Sequence, residues 1–175
     1  KMRYRSPERV VAEMAKLDID RTILSFYDDN FAASPRRTRE LLAAFRTLPK
    51  RPKFSAQVRA DVARDPELLQ EIADAGCDTF FIGLESVNQE SLNSALKRQD
   101  LNKTEEYLTA IVDAGIHVHG MFVLGFDSDD YGTMQRTVEF GDHHRGVGLH
   151  RAEPLVAAGP ARDLAGVQRH RHGVR

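Results

Sequence analysis

Tryptophan is absent from this 175-residue chain, and cysteine is almost absent, since Cys77 is the single one. One cysteine excludes an internal disulfide framework and any metal site built from several thiolates of this chain alone, and it favours a reducing compartment. No segment approaches the roughly 20 consecutive apolar residues that a membrane-spanning helix needs. We therefore expect a cytoplasmic protein that does not bind membranes.

An excess of charge of either sign is also missing. The chain has 25 basic and 26 acidic residues, a formal net charge of −1. This balance gives no electrostatic reason to expect nucleic acid as a partner. The length suits one domain with a buried core, but a complete (β/α) barrel needs roughly 250 residues, so a barrel in this chain would be partial.

Three proline-containing segments predict the beginnings of helices. They are residues 6–8 (Ser-Pro-Glu), 34–35 (Ser-Pro) and 65–67 (Asp-Pro-Glu). In each, a side-chain oxygen can cap a free backbone N–H, and proline falls in the first turn, where its missing N–H costs nothing. Apolar residues then recur at helical spacing, and Gly76 and Gly115 predict two helix ends.

Short apolar segments lie between these helices and predict buried strands. The segments are residues 22–26, 54–58, 79–83 and 118–124. Strict alternation of helix and strand predicts an α/β fold with a parallel sheet and outer helices, either an open doubly wound sheet or an arc of a (β/α) barrel.

The end of the chain, residues 141–175, differs from the rest. It carries five of the seven histidines and has no helix or strand pattern. We interpret residues 1–140 as one partial domain and residues 141–175 as an irregular tail, either disordered or translated out of frame.

Polar residues follow all four predicted strands. In parallel α/β folds the active site lies at the C-terminal ends of the strands. The residues at these ends are Asp28, Asp29 and Asn30 after the first strand, Arg59 and Asp61 after the second, Glu85, Ser86 and Asn88 after the third, and Asp127, Asp129 and Asp130 after the fourth. One enzyme hypothesis is a magnesium-dependent barrel with Asp28, Asp61 and Glu85 as oxygen ligands. A barrel arc without catalytic activity is a further alternative.

Two other features favour structural roles. Cys77 stands where a helix passes into a strand, which predicts a small buried apolar residue. His117 and His119 alternate like a zinc pair, but they belong to the beginning of their strand, the face that serves stability in a barrel, so we do not expect a metal there.

Three strings carry a family resemblance: residues 25–31 (Ser-Phe-Tyr-Asp-Asp-Asn-Phe), 81–88 (Phe-Ile-Gly-Leu-Glu-Ser-Val-Asn) and 120–127 (Gly-Met-Phe-Val-Leu-Gly-Phe-Asp). Together they resemble the radical S-adenosylmethionine (SAM) superfamily, in particular members with an upstream cobalamin-binding domain. The resemblance covers roughly residues 1–140. It implies strands two to five of a partial (β/α) barrel, with the first strand and a Cys-x-x-x-Cys-x-x-Cys loop expected before Lys1.

The resemblance also implies roles for strand-end residues in binding SAM. Asp28, Asp29 and Asn30 match the segment that holds the amino group, through charge-assisted hydrogen bonds. Glu85 and Ser86 match residues that approach the ribose or the amino group, and Arg59 is expected to pair with the methionine carboxylate. Gly125 matches a glycine against which adenine lies. The glutamate that closes this glycine motif is replaced here by Ser128 and Asp129.

The function implied by the resemblance is radical chemistry in a longer protein. Such an enzyme binds SAM at a 4Fe-4S cluster, cleaves it reductively and transfers the radical to an organic substrate. The resemblance implies cobalamin-dependent methyl transfer or rearrangement as outcomes, with a small-molecule substrate and a reductant protein such as flavodoxin or ferredoxin as partners. Because the cluster cysteines are absent, this chain alone is expected to be inactive.

Overall fold

Helices and strands alternate along the residues that the computed structural model describes, which are 4–18, 23–88, 101–126, 128–143 and 147–148. The helices are α1 (Pro7–Met14), α2 (Pro35–Phe45), α3 (Pro66–Asp74), α4 (Leu101–Asp113) and α5 (Tyr131–His143), with a 3₁₀ helix at Ala60–Arg64. The strands are β1 (Ile23–Phe26), β2 (Lys53–Val58), β3 (Cys77–Glu85), β4 (His117–Phe122) and β5 (Val147–Gly148).

The five strands form one parallel sheet in the order β1-β2-β3-β4-β5. Each strand therefore pairs with its neighbours in sequence, and every crossover advances in the same direction. A doubly wound sheet reverses its strand order partway, whereas a (β/α) barrel does not. The topology confirms the α/β fold and selects the barrel arc from the two predicted arrangements.

The predicted helix beginnings are confirmed, with a difference at α2. Ser6 Oγ accepts a hydrogen bond from the Arg9 N–H at 3.4 Å, and Asp65 Oδ1 accepts from the Leu68 N–H at 2.9 Å. Ser34 makes no side-chain cap. Instead Thr38 Oγ1 donates to the carbonyl oxygens of Phe31 and Ser34, both at 3.1 Å, and this stabilises the first turn of α2.

The main core lies between the sheet and the helices. Phe54 of β2 is fully buried and forms an aromatic cluster with Phe26, Phe31 and Phe45, in which contacting ring centroids lie 5.0–6.0 Å apart. Phe45 belongs to α2 and Phe31 to the loop after β1, so this cluster joins helix, sheet and loop. Burial of such large side chains is the main source of stability in a domain of this size.

The opposite face of the sheet, which we call the open face, has a different chemistry. Strand residues alternate between the two faces, so the neighbours of the buried residues of β2, β3 and β4 point away from the helices. These residues are Ser55 and Gln57, Thr79, Phe81, Gly83 and Glu85, and His117, His119 and Met121. The rings of Phe81 and His119 lie 4.9 Å apart there. In a barrel this face lines the interior.

Cys77 and His117 are the first residues of their strands, and His119 is the third residue of β4. Cys77 is the first residue of β3 and is only 6% exposed, and this burial raises the pKa of its thiol to about 12. The prediction of a buried apolar role for Cys77 is therefore confirmed. His117 begins β4, at the end opposite to the strand ends that were predicted to form the site. None of the helices in the described ranges has the length and apolar character needed to cross a bilayer.

Candidate functional site

The C-terminal ends of β1 to β4 lie side by side at one edge of the sheet. The paired registers align Phe26 with Ala56, Val58 with Ile82, and Glu85 with Phe122. Because the strands are parallel and adjacent, the loops that follow them line the same rim. The predicted site residues therefore belong to a continuous surface, and the local geometry of each loop decides what they can bind.

The loop after β1 is anchored on β2. The Phe31 N–H donates to the Gln57 carbonyl at 2.9 Å, and the Asn30 side-chain oxygen accepts from the Ala32 N–H at 3.2 Å. The amide oxygen of Asn30 thus stabilises its own turn. Asp28 and Asp29 are exposed beside it, so two carboxylates are presented from a loop whose backbone is fixed.

Asp28 also lines a cavity beside β1, which is the edge strand of the described sheet. The cavity has a volume of about 450 Å³ and extends between α1, β1 and α2. Arg37 of α2 reaches into it: one terminal nitrogen donates to the Arg5 carbonyl, while Nη1 is buried without a hydrogen-bond partner in the described part of the chain. Buried donors of this kind normally find an acceptor.

The residues after β2 pair with each other. Arg59 donates to Asp61 through Nε and Nη2, at 3.3 and 3.2 Å, so the guanidinium and the carboxylate form a two-point contact. They line a second cavity of about 450 Å³, together with Asn30, Ala33 and Asp65, among others. This contact uses two of the five donors of Arg59, so the guanidinium can bind a ligand while Asp61 stays in place.

Glu85, at the end of β3, has an unusual backbone. Its φ is +63°, in the left-handed region that non-glycine residues rarely adopt. The residues on either side of Glu85 are hydrogen-bonded to each other, since the Ser86 N–H donates to the Leu84 carbonyl at 2.8 Å. The carboxylate turns back over the open face: a Cβ added at Gly83 would lie 2.8 Å from Glu85 Oε1. Strained backbone of this type is concentrated at functional sites.

The loops after β3 and β4 are joined to each other. The Val123 N–H donates to the Glu85 carbonyl at 2.8 Å, and Asn88 Nδ2 donates to the Ser128 carbonyl at 3.2 Å. Ser86 is 3% exposed, and its Oγ accepts from the Asn88 N–H at 3.0 Å. Ser86 therefore stabilises its own loop, Asn88 joins that loop to the next one, and Glu85 lies at the junction.

Gly125 forms a turn that Asp129 closes. Its φ is +98°, a backbone conformation that favours glycine. A Cβ placed on Gly125 would meet nothing within 4 Å, so the space next to this backbone is open. Asp129 Oδ2 accepts from the N–H groups of Gly125 and Phe126, at 2.9 and 3.0 Å. A flat ring can approach backbone that carries no side chain.

The next residue, Asp130, has a separate role. Its Oδ1 accepts from the Thr133 N–H at 2.7 Å at the beginning of α5, and this hydrogen bond lowers the pKa of the Asp130 carboxyl. The two adjacent acids thus serve different structures, a glycine turn and a helix. Asp127 lies outside the described residues.

The predicted magnesium ligands are not brought into one group. Asp61 is held by Arg59, and no cluster of three or more acidic, histidine or cysteine side chains suited to a metal ion occurs within the described ranges. The rim instead offers separate carboxylates from Asp28, Asp29 and Glu85, and bare backbone at Gly125. This arrangement suits an organic ligand with a cationic group and a flat ring.

A sequence model of the radical SAM superfamily matches residues 1–141. The chain belongs to this superfamily.

Two curated relatives are methyltransferases. Bacteriochlorophyllide d C-12(1)-methyltransferase of Chlorobaculum tepidum is 30% identical over 145 residues, which is 79% of this chain and 31% of that protein. Cytidylyl-2-hydroxyethylphosphonate methyltransferase of Streptomyces wedmorensis is 32% identical over 128 residues, 71% of this chain and 24% of that protein.

A solved structure supports the same radical SAM fold. The cobalamin-dependent SAM radical enzyme OxsB, solved with aqua-cobalamin and SAM bound, matches 66% of this chain and 18% of its own length with a TM-score of 0.59 at 18% identity. At this identity the likeness shows the fold alone. The chain spans about a third or less of the length of these radical SAM relatives.

Asp129 is the position that sequence reasoning undervalued. The glutamate of the superfamily motif has no counterpart at Gly125, yet the shorter side chain of Asp129 reaches the two backbone N–H groups of the turn. The sequence signal that could have indicated this role is an acidic residue four positions after a glycine at a strand end.

We expect Asp129→Ala to loosen the Gly125 turn, because two backbone N–H groups lose their carboxylate acceptor. Amide hydrogen exchange at Gly125 and Phe126 should accelerate by about tenfold or more. The matched control is Asp130→Ala, which removes the α5 cap and should leave exchange at Gly125 unchanged. Equal acceleration in both variants would contradict a specific role for Asp129.

Proposed function

We propose that this chain forms the SAM-binding part of a radical SAM enzyme, and that the complete protein cleaves SAM reductively to begin radical chemistry on a small organic substrate. The observation that carries the proposal is that the loop carrying Asp28 and Asp29, the strained Glu85 and the open Gly125 turn all follow strand ends at one edge of the parallel sheet. The superfamily match supports the enzymatic assignment.

The residues of this chain do not fit a 4Fe-4S cluster. Such clusters are held by cysteine thiolates, and Cys77, the single cysteine, is buried at the beginning of β3 with a protonated thiol. When bound, a cluster supplies the electron that cleaves SAM. We propose that its ligands come from a segment that lies along the edge of β1, where the cavity beside Asp28 and Nη1 of Arg37, which has no partner among the described residues, can receive it.

SAM itself fits the strand-end rim. Its α-amino group is a cation, and the exposed carboxylates of Asp28 and Asp29 can accept charge-assisted hydrogen bonds from it. Glu85 can accept from a ribose hydroxyl, because its carboxylate lies over the open face next to Gly83. The open space above Gly125 leaves backbone accessible to adenine. Arg59 can bind the methionine carboxylate through the donors that do not contact Asp61.

Calorimetric titration of the chain with SAM tests the proposal. We expect weak binding to the wild type, weakened by about tenfold or more in Glu85→Ala and in the double variant Asp28→Ala with Asp29→Ala, since each loses a charge-assisted contact. The matched control is Glu105→Ala with Glu106→Ala, which removes two exposed carboxylates from α4.

The outcomes of this titration are distinct. Identical affinity in the wild type and in all variants would reject the proposed site. Equal weakening in the rim and control variants would show that SAM responds to overall charge and not to the rim. Anaerobic reconstitution with iron and sulfide should yield no 5′-deoxyadenosine from this chain, because cluster thiolates are lacking.

Methyl transfer with cobalamin is the reaction that we propose for the complete protein. The support is that two relatives are named as methyltransferases and that OxsB is named as cobalamin-dependent. We also propose a reductant protein, such as flavodoxin or ferredoxin, as the electron source. Spectroscopy of the complete protein with added cobalamin tests the first point: an unchanged cobalamin spectrum would argue against it.

A further inference from the structure

Tyr27 is the most exposed of the large hydrophobic side chains in the described ranges. It follows β1 directly and is 94% exposed. Single exposed side chains of this kind are common on protein surfaces and need no explanation by themselves. The position of Tyr27 sets it apart, because the carboxylates of Asp28 and Asp29 follow it at the strand-end rim. One loop therefore presents an aromatic ring and a pair of acids.

The ring of Tyr27 projects toward the open face of the sheet. Phe26 packs into the aromatic core, whereas Ser25 lies against Ser55 of the open face, with the two Oγ atoms 3.0 Å apart. Neighbouring residues of an extended chain point to opposite faces, so Tyr27 points to the same side as Ser25. The backbone is held on both sides of the ring, by the pairing of Phe26 with β2 and by the hydrogen bond of the Phe31 N–H to β2.

An aromatic ring at this position can recognise a sulfonium group. The face of an aromatic ring is electrically negative and attracts a cation that approaches within about 6 Å of the ring centre. SAM carries its sulfonium on a short carbon chain that leads from the α-amino group. If Asp28 and Asp29 hold this amino group, Tyr27 is near enough to contact the sulfonium, because consecutive Cα atoms lie about 3.8 Å apart. A sulfonium has no hydrogen to donate, so a ring face suits it better than a hydrogen-bond acceptor does.

Two other aromatic side chains of the neighbouring strands already have ring partners. The Phe81 ring lies 4.9 Å from the ring of His119, and the Phe122 ring lies 6.0 Å from that of Phe140. At its high exposure, Tyr27 keeps both ring faces accessible to a ligand. Ordering a tyrosine also costs less conformational entropy than ordering a long flexible side chain.

We propose that Tyr27 recognises the positive charge of the SAM sulfonium through the face of its ring, and that it is a specificity residue of the SAM site. This role rests on the proposed function, since it requires that SAM binds at the strand-end rim. Tyr27 favours SAM over S-adenosylhomocysteine, which has the same nucleoside and amino-acid groups but a neutral thioether in place of the sulfonium. A neutral thioether product would therefore leave the site more readily than SAM.

Calorimetric titrations with SAM and with S-adenosylhomocysteine test this role. In Tyr27→Leu the affinity for SAM relative to S-adenosylhomocysteine should fall by about threefold, the size expected for an exposed cation–π contact. Tyr27→Phe retains the ring and should retain the wild-type ratio of the two affinities. The matched control is Tyr131→Leu, which removes a 77% exposed tyrosine from the outer helix α5 and should leave the ratio unchanged.

The results of these titrations separate the role of Tyr27 from the proposed function. Absence of SAM binding by the wild type would overturn both. An unchanged ratio in Tyr27→Leu would overturn the role of Tyr27 alone, whether the two affinities fall together or neither changes. A fall in Tyr27→Phe as large as in Tyr27→Leu would also overturn it, because the hydroxyl and not the ring face would then be responsible. Circular dichroism verifies that the variants are folded.

Discussion

Replacing Glu85 with glycine should stabilise the chain and weaken SAM binding at the same time. Glu85 adopts a φ of +63°, which costs a side-chain-bearing residue roughly 1–2 kcal/mol and costs glycine almost nothing. The same substitution removes a carboxylate from the rim. Urea denaturation should therefore give a free energy of unfolding higher by about 1 kcal/mol, while calorimetry should give an affinity for SAM lower by about tenfold or more.

Two further substitutions separate the effects of backbone and charge at Glu85. Glu85→Ala removes the carboxylate but keeps a Cβ in the left-handed conformation, so SAM affinity should fall without a gain in stability. Glu85→Gln keeps the shape and should bind SAM with intermediate affinity. A glycine variant that is less stable than the alanine variant would contradict backbone strain at this position.

Truncating Phe54 to alanine should be among the most damaging single changes in the chain. Its side chain is fully buried and touches three other aromatic rings, so Phe54→Ala leaves a large cavity. Loss of a buried phenylalanine costs about 3–5 kcal/mol. Chemical denaturation should show this loss, and a change of less than about 1 kcal/mol would contradict the described packing.

The aromatic cluster also links the packing of the core to the position of the loop that carries Asp28 and Asp29. Phe54 packs against Phe31, whose N–H fixes the loop of Asp28 and Asp29 to β2. We expect the milder variant Phe54→Leu to weaken SAM binding more than Phe80→Leu, which alters a fully buried side chain of β3 instead. Comparing the two at matched fractions of folded protein removes the effect of stability, and equal SAM affinities would contradict the connection through Phe31.

Elements that depend on local signals were predicted well from the sequence. The strand beginning at Ile23 and the helices beginning at Pro7, Pro35 and Pro66 fall where the apolar runs and capping residues indicate. These signals act within a few residues along the chain, because hydrophobic periodicity and capping chemistry are local. The choice of a barrel arc over a doubly wound sheet required the observed strand order, since alternation of helices and strands alone allows both topologies.

Features that depend on distant partners were not predicted. The link from Asn88 to Ser128 and the hydrogen bond from Val123 to the strained Glu85 both depend on how neighbouring loops meet. Nothing in the local sequence distinguishes a rim carboxylate that binds a ligand from one that holds an arginine. Asp28, Asp29, Glu85 and Gly125 remain predicted SAM contacts, and the titration described above tests them.

The anchoring of strand-end loops on a neighbouring strand restricts how related barrels can be recombined. The loop after β1 is fixed to β2 by the Phe31 N–H, and the segment after β4 is fixed to β3 by the Val123 N–H. A crossover inside α2 would therefore take the donor Phe31 from one parent and the acceptor Gln57 from the other. A crossover in the loop after β1 but before Phe31 keeps this donor and its acceptor in one parent, so hybrids joined there should fold more often than hybrids joined within α2.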